Sequence, residues 1–353
     1  MDPLQVDDRG RCPLHQAIDR NDYAVIETWL REGMNPNARL RDDEPTPVQM
    51  AIESKNLALV KLFTAYDADL ALTTPKKQGR NAYHYAALAT PEIMEHLLQQ
   101  PQRAAAEAIT EEKKIQLTPL RLALKESDRR MTELLLDYGI DVNEQDENNE
   151  TPLHFLLGNR KSREEAMPLV RLLIDRGADI GTKAENFWSE SPLFPAVRDQ
   201  FTEAVKLLLD LGCNAAERNH LEETLLHAAA STYDAANVRM LIDHGAQLEE
   251  KNRIGRTALH IAAHANRLEV VKTLLEKGAD PFATDRDGKT PDELCPASFQ
   301  KNVHREILRK QMELDAKHAT NHAGRPQNDY YARQRKLREE EKNRPSRHWG
   351  NRR

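Results

Sequence analysis

A short block of residues returns along this chain at a nearly constant interval, and that periodicity narrows the possible architectures before composition or charge does. Its clearest copies are Thr118-Pro119-Leu120, Thr151-Pro152-Leu153-His154, Ser191-Pro192-Leu193, Thr224-Leu225-Leu226-His227 and Thr257-Ala258-Leu259-His260. Looser copies are Cys12-Pro13-Leu14-His15, Thr46-Pro47-Val48, Asn81-Ala82-Tyr83-His84 and Thr290-Pro291-Asp292. The blocks open at residues 12, 46, 81, 118, 151, 191, 224, 257 and 290, and four of the intervals are 33 residues. A second mark keeps the same register: Gly33, Gly139, Gly212, Gly245 and Gly278 each lie 21 residues after a block opens. A chain patterned this way is a row of like modules, each resting on its neighbours.

The residue types say what each module is. Thr ahead of Pro fits a helix start: the hydroxyl can cap backbone N–H groups, and Pro at the first helical position gives up no hydrogen bond. Ala262-Ala263 and Ala228-Ala229-Ala230 make a thin first helix that lets neighbours approach. Val205, Leu207, Leu208 and Leu209 put an apolar face on a second helix. A glycine after that helix suits a left-handed helix end, as at Gly245 and Gly278.

This combination resembles the ankyrin repeat over roughly Gly10 to Leu294. The resemblance implies an all-α solenoid of about eight helix-turn-helix repeats plus a degenerate ninth, each repeat led by a β-turn finger. It implies that the block histidines, His15, His84, His154, His227 and His260, bond one repeat to the next. It also implies binding of folded or extended protein partners through the concave face and the fingers, with no cofactor and no catalysis. Asn143 sits where some ankyrin proteins are hydroxylated, although a plain turn asparagine is the better reading.

Departures from the repeat fall at particular places. Asp67 stands where the second repeat should have its glycine, and a left-handed Asp makes a weaker helix end. In the third repeat Pro101 to Lys114 is an Ala- and Glu-rich insertion, read as an extended second helix. The fifth repeat is five residues longer, with the extra length expected at Gly158 to Arg163, between its helices. The expected organisation is a lead-in over 1–9, the repeat domain over 10–294, a capping helix over 295–314 carrying Val303, Ile307 and Leu308, and a disordered basic tail over 315–353.

Other chemistry finds little support. Gly288-Lys289-Thr290 lacks the glycine five residues earlier that a phosphate loop needs, since residue 283 is Ala283. His260 and His264 are four apart, but Ile261 replaces the glutamate of a zinc-protease helix. The three cysteines, Cys12, Cys213 and Cys295, form no Cys-x-x-Cys pair and fit free thiols in an intracellular setting, cytoplasmic or nuclear. No long apolar run predicts a membrane span, Met1-Asp2-Pro3-Leu4 does not resemble a secretion signal, and a monomer is expected.

Charge is uneven. From Asp315 onward eleven Lys and Arg oppose five Asp and Glu, a net +6, so residues 1–314 carry −12 of the total −6. Such a tail reads as a solvated segment, a docking segment for an enzyme or other protein, or, last in order, a nucleic-acid contact. Its candidate residues are Tyr330, Tyr331, Arg333, Arg335, Lys336 and Arg338. In the repeats the partner-binding candidates are the loop pair Phe187 and Trp188, and the finger cations Arg39, Arg41, Lys76, Lys77, Arg80, Arg218, Arg253 and Arg286. Trp and Arg are enriched where partners bind most strongly.

Overall fold

A computed structural model of the chain describes residues 3, 5, 12–39, 41, 44–75, 79–101, 117–158, 162–184 and 189–321, with backbone alone for 297–299, 311 and 314–321. The chain divides into two compact units, residues 1–195 and 196–353. In the first unit helices come in pairs: α1 (Pro13–Arg20) with α2 (Tyr23–Arg31), α3 (Pro47–Glu53) with α4 (Leu57–Ala65), α5 (Ala82–Ala86) with α6 (Pro91–Leu98), α7 (Pro119–Lys125) with α8 (Arg129–Asp137), and α9 (Pro152–Leu157) with α10 (Arg163–Asp175). Then follow α11 (Leu193–Arg198) and α12 (Thr202–Asp210), α13 (Leu225–Ala230) and α14 (Ala235–Asp243), and α15 (Ala258–His264) and α16 (Leu268–Glu276). A 3₁₀ turn at Asp292–Leu294 and the long α17 (Ala297–Asn321) complete the described elements. Among the described residues no strand occurs; isolated bridges join Thr74 to Arg80 and Arg218 to Thr224 within fingers. This is the expected all-α repeat array.

The helix starts follow the block. Thr46, Thr118 and Thr224 accept from the backbone N–H three residues on, Asn81 does the same through its amide oxygen, and Cys12 does so through sulfur. Pro occupies the first turn of α1, α3, α7 and α9. The helix ends follow the second mark: φ is +94° at Gly33, +88° at Gly139, +97° at Gly245 and +99° at Gly278. Asp67 takes the same left-handed conformation at φ 59°.

The third block residue is the core plug of the first eight blocks. Leu14, Val48, Tyr83, Leu120, Leu153, Leu193, Leu226 and Leu259 are all buried. Each such side chain contributes roughly 1.5–3 kcal/mol relative to exposure. None could be hidden inside its own two short helices, so the stabilisation depends on stacking. Within the first unit α1 packs on α3, α3 on α5, α5 on α7 and α7 on α9; within the second, α13 packs on α15, and α12, α14, α16 and α17 pack in succession.

Some expectations need revision. The extra length of the fifth repeat goes mostly into a helix: α10 has 13 residues, whereas α14 and α16 have 9. Pro168 lies inside α10. Counted back from the helix end, it falls in the first turn of an ordinary second helix, where Pro is tolerated. The added turn precedes it and carries Glu164 and Glu165 at the favourable end of the helix dipole. Leu207 is half-buried, unlike Val205, Leu208 and Leu209. In α17 Val303 and Ile307 are buried against the array, but Leu308 is 43% exposed and Met312 71%. That helix runs to Asn321, into the segment assigned to the tail. The third-repeat insertion at 102–116 lies outside the described residues. No described helix is long and apolar enough to cross a membrane.

Candidate partner-binding surface

The fingers are built by one device. In four fingers the first residue of the turn is Asp or Asn, and its Oδ1 accepts from the backbone N–H groups two and four residues on. Asp146 accepts from Asn148 (2.9 Å) and Glu150 (3.0 Å), Asn219 from Leu221 (2.9 Å) and Glu223 (3.0 Å). Asn252 accepts from Ile254 (3.1 Å) and Arg256 (3.0 Å), Asp285 from Asp287 (2.9 Å) and Lys289 (3.0 Å). These side chains replace the turn's missing backbone partners. In the second unit neighbouring fingers are joined directly: Arg253 N–H donates to the Leu221 carbonyl and Arg286 N–H to the Ile254 carbonyl, both at 3.2 Å. The approach is close at Gly255, where φ is +79° and an added Cβ would stand 2.8 Å from Arg286 N.

A second device ties each first helix to the next finger. Nδ1 of His154, His227 and His260 accepts the backbone N–H of Thr151 (3.1 Å), Thr224 (3.1 Å) and Thr257 (3.2 Å). The ring proton therefore sits on Nε2, which donates to the carbonyls of Glu190 (3.1 Å), Arg256 (2.8 Å) and Lys289 (3.1 Å). Burial lowers the pKa of all three, that of His227 to about 4. His84 is also held neutral, at about 4, by burial first and then by Arg80. A backbone hydrogen bond at Leu117, the residue ahead of the next block, opposes that shift in part.

Two other residue types do the same work, and the histidine pattern alone did not reveal them. Gln49 accepts from Thr46 N (2.8 Å) and from the Thr74 hydroxyl (2.7 Å), and donates to the Leu72 carbonyl (2.6 Å). Arg121, only 2% exposed in its side chain, pairs with Asp146 at 2.7 Å and donates to the Glu150 carbonyl. Their shared signal was register: both are the fourth residue of a block.

A family model described as ankyrin repeats matches residues 14–108, 160–252 and 193–285, and a second one matches residues 120–166. The chain belongs to the ankyrin-repeat family. It is 31% identical over 151 residues to an ankyrin repeat protein of Acanthamoeba polyphaga mimivirus, covering 42% of this chain and 19% of that protein. It is 26% identical over 219 residues to the transient receptor potential cation channel subfamily A member 1 of Drosophila melanogaster, covering 58% and 17%. With the Homo sapiens protein of the same name it shares 24% over 185 residues, covering 50% and 16%. The chain thus spans less than a fifth of the length of these relatives.

The ankyrin framework places the candidate residues differently from one another. Arg218 acts as a strap between fingers: it pairs with Glu250 and donates to the Glu222 (3.3 Å) and Lys251 (3.2 Å) carbonyls. Arg253 is exposed and reaches the His220 carbonyl at 3.4 Å; Arg286 is exposed beside it in the next finger. Ile254, 49% exposed, stands between them along the chain. Arg41 is exposed, while Arg39 and Arg80 are half-buried near Tyr85, whose phenol is raised by burial against their opposing charge. Asn143 is committed on both sides of its amide: it donates to the Gly177 carbonyl (3.1 Å) and accepts from Asp179 N (2.7 Å). Lys76, Lys77, Phe187, Trp188, Tyr330, Tyr331, Arg333, Arg335, Lys336 and Arg338 lie outside the described residues. Among the described residues no group of three or more His, Cys, Asp or Glu could hold a metal ion.

Proposed function

We propose that this ankyrin chain is a scaffold or adaptor that binds partner proteins through its fingers and concave face and carries out no chemistry itself. Ankyrin repeats are in general protein-interaction modules. The observation that carries the reading is the backbone bonding between fingers at Arg253–Leu221 and Arg286–Ile254. It presents exposed Arg253, Ile254 and Arg286 on a surface already ordered before binding, which lowers the entropic cost of association. Phe187 and Trp188 remain the proposed aromatic anchors in the first unit, and the partner of the second-unit fingers carries acidic groups.

The charge division favours one further reading, in which the +6 tail docks a separate protein, such as an enzyme that the array regulates. Affinity capture with the full chain, with Arg253→Glu/Arg286→Glu, with Trp188→Ala and with residues 315–353 deleted separates the two. Loss of one partner set in the finger variants and of another in the deletion supports both. Unchanged partner sets in every variant would remove the scaffold reading.

A further inference from the structure

The inter-helix turns lie at the opposite helix ends from the fingers, and in the second unit they carry an exposed aromatic–cation pair. Tyr233, between α13 and α14, is 72% exposed. Arg267, between α15 and α16, lays its guanidinium 3.5 Å from the centre of that ring. Its Nε donates to the Ser231 carbonyl at 2.9 Å. Two contacts thus fix the plane of the guanidinium, while Nη1 and Nη2 meet no acceptor among the described residues. The acids nearest in sequence are engaged elsewhere: Asp234 accepts from Ala236 N (2.8 Å) and the Thr202 hydroxyl (2.5 Å), and Glu269 pairs with Lys272 at 2.9 Å.

Helix capping does not explain Arg267. The position of Arg267 is the cap of a second helix; at the equivalent points Asn56, Thr90, Asp128 and Asp234 accept a backbone N–H, while Asp22, Ser162 and Phe201 make no side-chain cap bond. Arg has no acceptor to offer and makes no cap bond here; its guanidinium goes instead to the Ser231 carbonyl, at the C-cap of α13. The matching residues of other repeats, Asn21, Lys55, Ser127, Gln200 and Asn266, are polar and left-handed, whereas Tyr233 is an aromatic in a turn closed through the Thr232 hydroxyl. Two residues that break local rules and meet across a repeat boundary mark a site better than either alone.

We infer that the Tyr233–Arg267 pair is a docking point for an acidic segment of a partner protein, one carboxylate lying across Nη1 and Nη2 and a neighbouring apolar side chain against the tyrosine. This rests on the reading of the chain as a protein binder and adds a second contact surface with its own chemistry. A held guanidinium with no acidic partner among the described residues complements a carboxylate, and its planar fork can donate to one through two parallel bonds. Tyr and Arg also provide large contact area at small ordering cost once held in place.

The test probes a random dodecapeptide array with the full chain, then measures a bound acidic peptide and its Gln twin by fluorescence anisotropy against Tyr233→Ala, Arg267→Gln, Arg267→Lys and Arg253→Glu. Bound peptides should pair Asp or Glu with an aromatic or aliphatic neighbour. Arg267→Gln should weaken binding about tenfold or more, and Arg267→Lys nearly as much, because it keeps the charge and loses the fork. Melting curves should be unchanged, and a variant that unfolds is replaced by Arg267→Lys. The inference is overturned if the Gln twin binds equally, if no acidic peptide binds, or if Arg267→Gln leaves affinity within about twofold. Sensitivity to Arg253→Glu but not to Arg267→Gln would overturn it while leaving the finger-based scaffold intact.

Discussion

Replacing His227 by Gln should leave the chain folded at neutral pH and remove part of its sensitivity to acid. His227 accepts Thr224 N–H on Nδ1 and donates from Nε2 to the Arg256 carbonyl. A proton added to Nδ1 would face a donor inside a buried site, so burial and this geometry hold the pKa near 4 rather than 6.5. A depressed folded-state pKa means that the unfolded chain binds the proton first. The stability is therefore present above pH 6.5 and lost as the pH falls toward 4. At about 1.4 kcal/mol per pH unit, His227 alone costs about 2 kcal/mol between pH 6.5 and 5. Gln49 shows that an amide can make both bonds in this position. In urea titrations followed by far-UV circular dichroism, the Gln variant should keep about 2 kcal/mol at pH 5 that the natural chain loses. His227→Ala should be weaker at neutral pH, by about 1–3 kcal/mol, through the unpaired Arg256 carbonyl and Thr224 N–H, and the gap should narrow as the pH falls toward 5. If His227→Gln and the natural chain lose stability in parallel between pH 6.5 and 5, the proposed proton linkage is wrong.

Gly255→Ala should destabilise by clearly more than Gly245→Ala: both need positive φ, about 1–2 kcal/mol for Ala, but only at Gly255 does the new methyl meet a backbone nitrogen; equal urea midpoints for the two would refute the close approach. Arg121→Ala should cost about 3–5 kcal/mol by leaving Asp146 without its cation, read from the same titrations. Glu144→Gln should raise stability at pH 7.5 relative to pH 4.5. Burial lifts the Glu144 pKa to about 7, so its contribution is full below about 4.5 and is lost as the pH rises through 7. The difference is up to about 3 kcal/mol. Asn143→Ala should cost about 1–2 kcal/mol and raise amide exchange at Asp179, whose N–H it holds.

What could be read from the sequence was whatever is decided within a few residues. Thr-Pro starts, the glycine at a left-handed helix end, and even the left-handed Asp67 need no knowledge of neighbours. Where a neighbouring repeat decides, the sequence was less legible. Leu308 has the spacing of a buried residue, yet it is 43% exposed, because burial in this array is supplied by a neighbouring helix pair and not by the helix itself. The extra residues of the fifth repeat were expected between its helices at Gly158 to Arg163, but most of them form an added helical turn ahead of Pro168. Arg218 looked like a free fingertip cation because its partner Glu250 lies 32 residues away. Tyr233 and Arg267 gave a signal only against the column of residues that they replace.

The fourth block residue shows what the repeat selects for. It must accept a proton from its own helix cap and deliver one to the next finger; neutral His and Gln do both, so identity matters less than this pair of bonds. Phe194 does neither and fills its position with a buried ring. Arg121 can only donate. With no acceptor there, the Thr118 hydroxyl turns to Glu144, and the buried cation is balanced by Asp146. A neutral link has been replaced by a charged one, and the response to acid changes sign with it. The histidine-linked repeats lose stability as the pH falls below 6.5, whereas the Glu144 site gains it as the pH falls from 7 toward 4.5. Mild acid should therefore loosen the fingers held by His227 and His260 before the one held by Arg121. Hydrogen exchange at pH 5 should show faster opening at Arg256 and Lys289 than at Glu150, and the reverse order would mean that burial of the arginine, not the proton on the ladder, sets local stability.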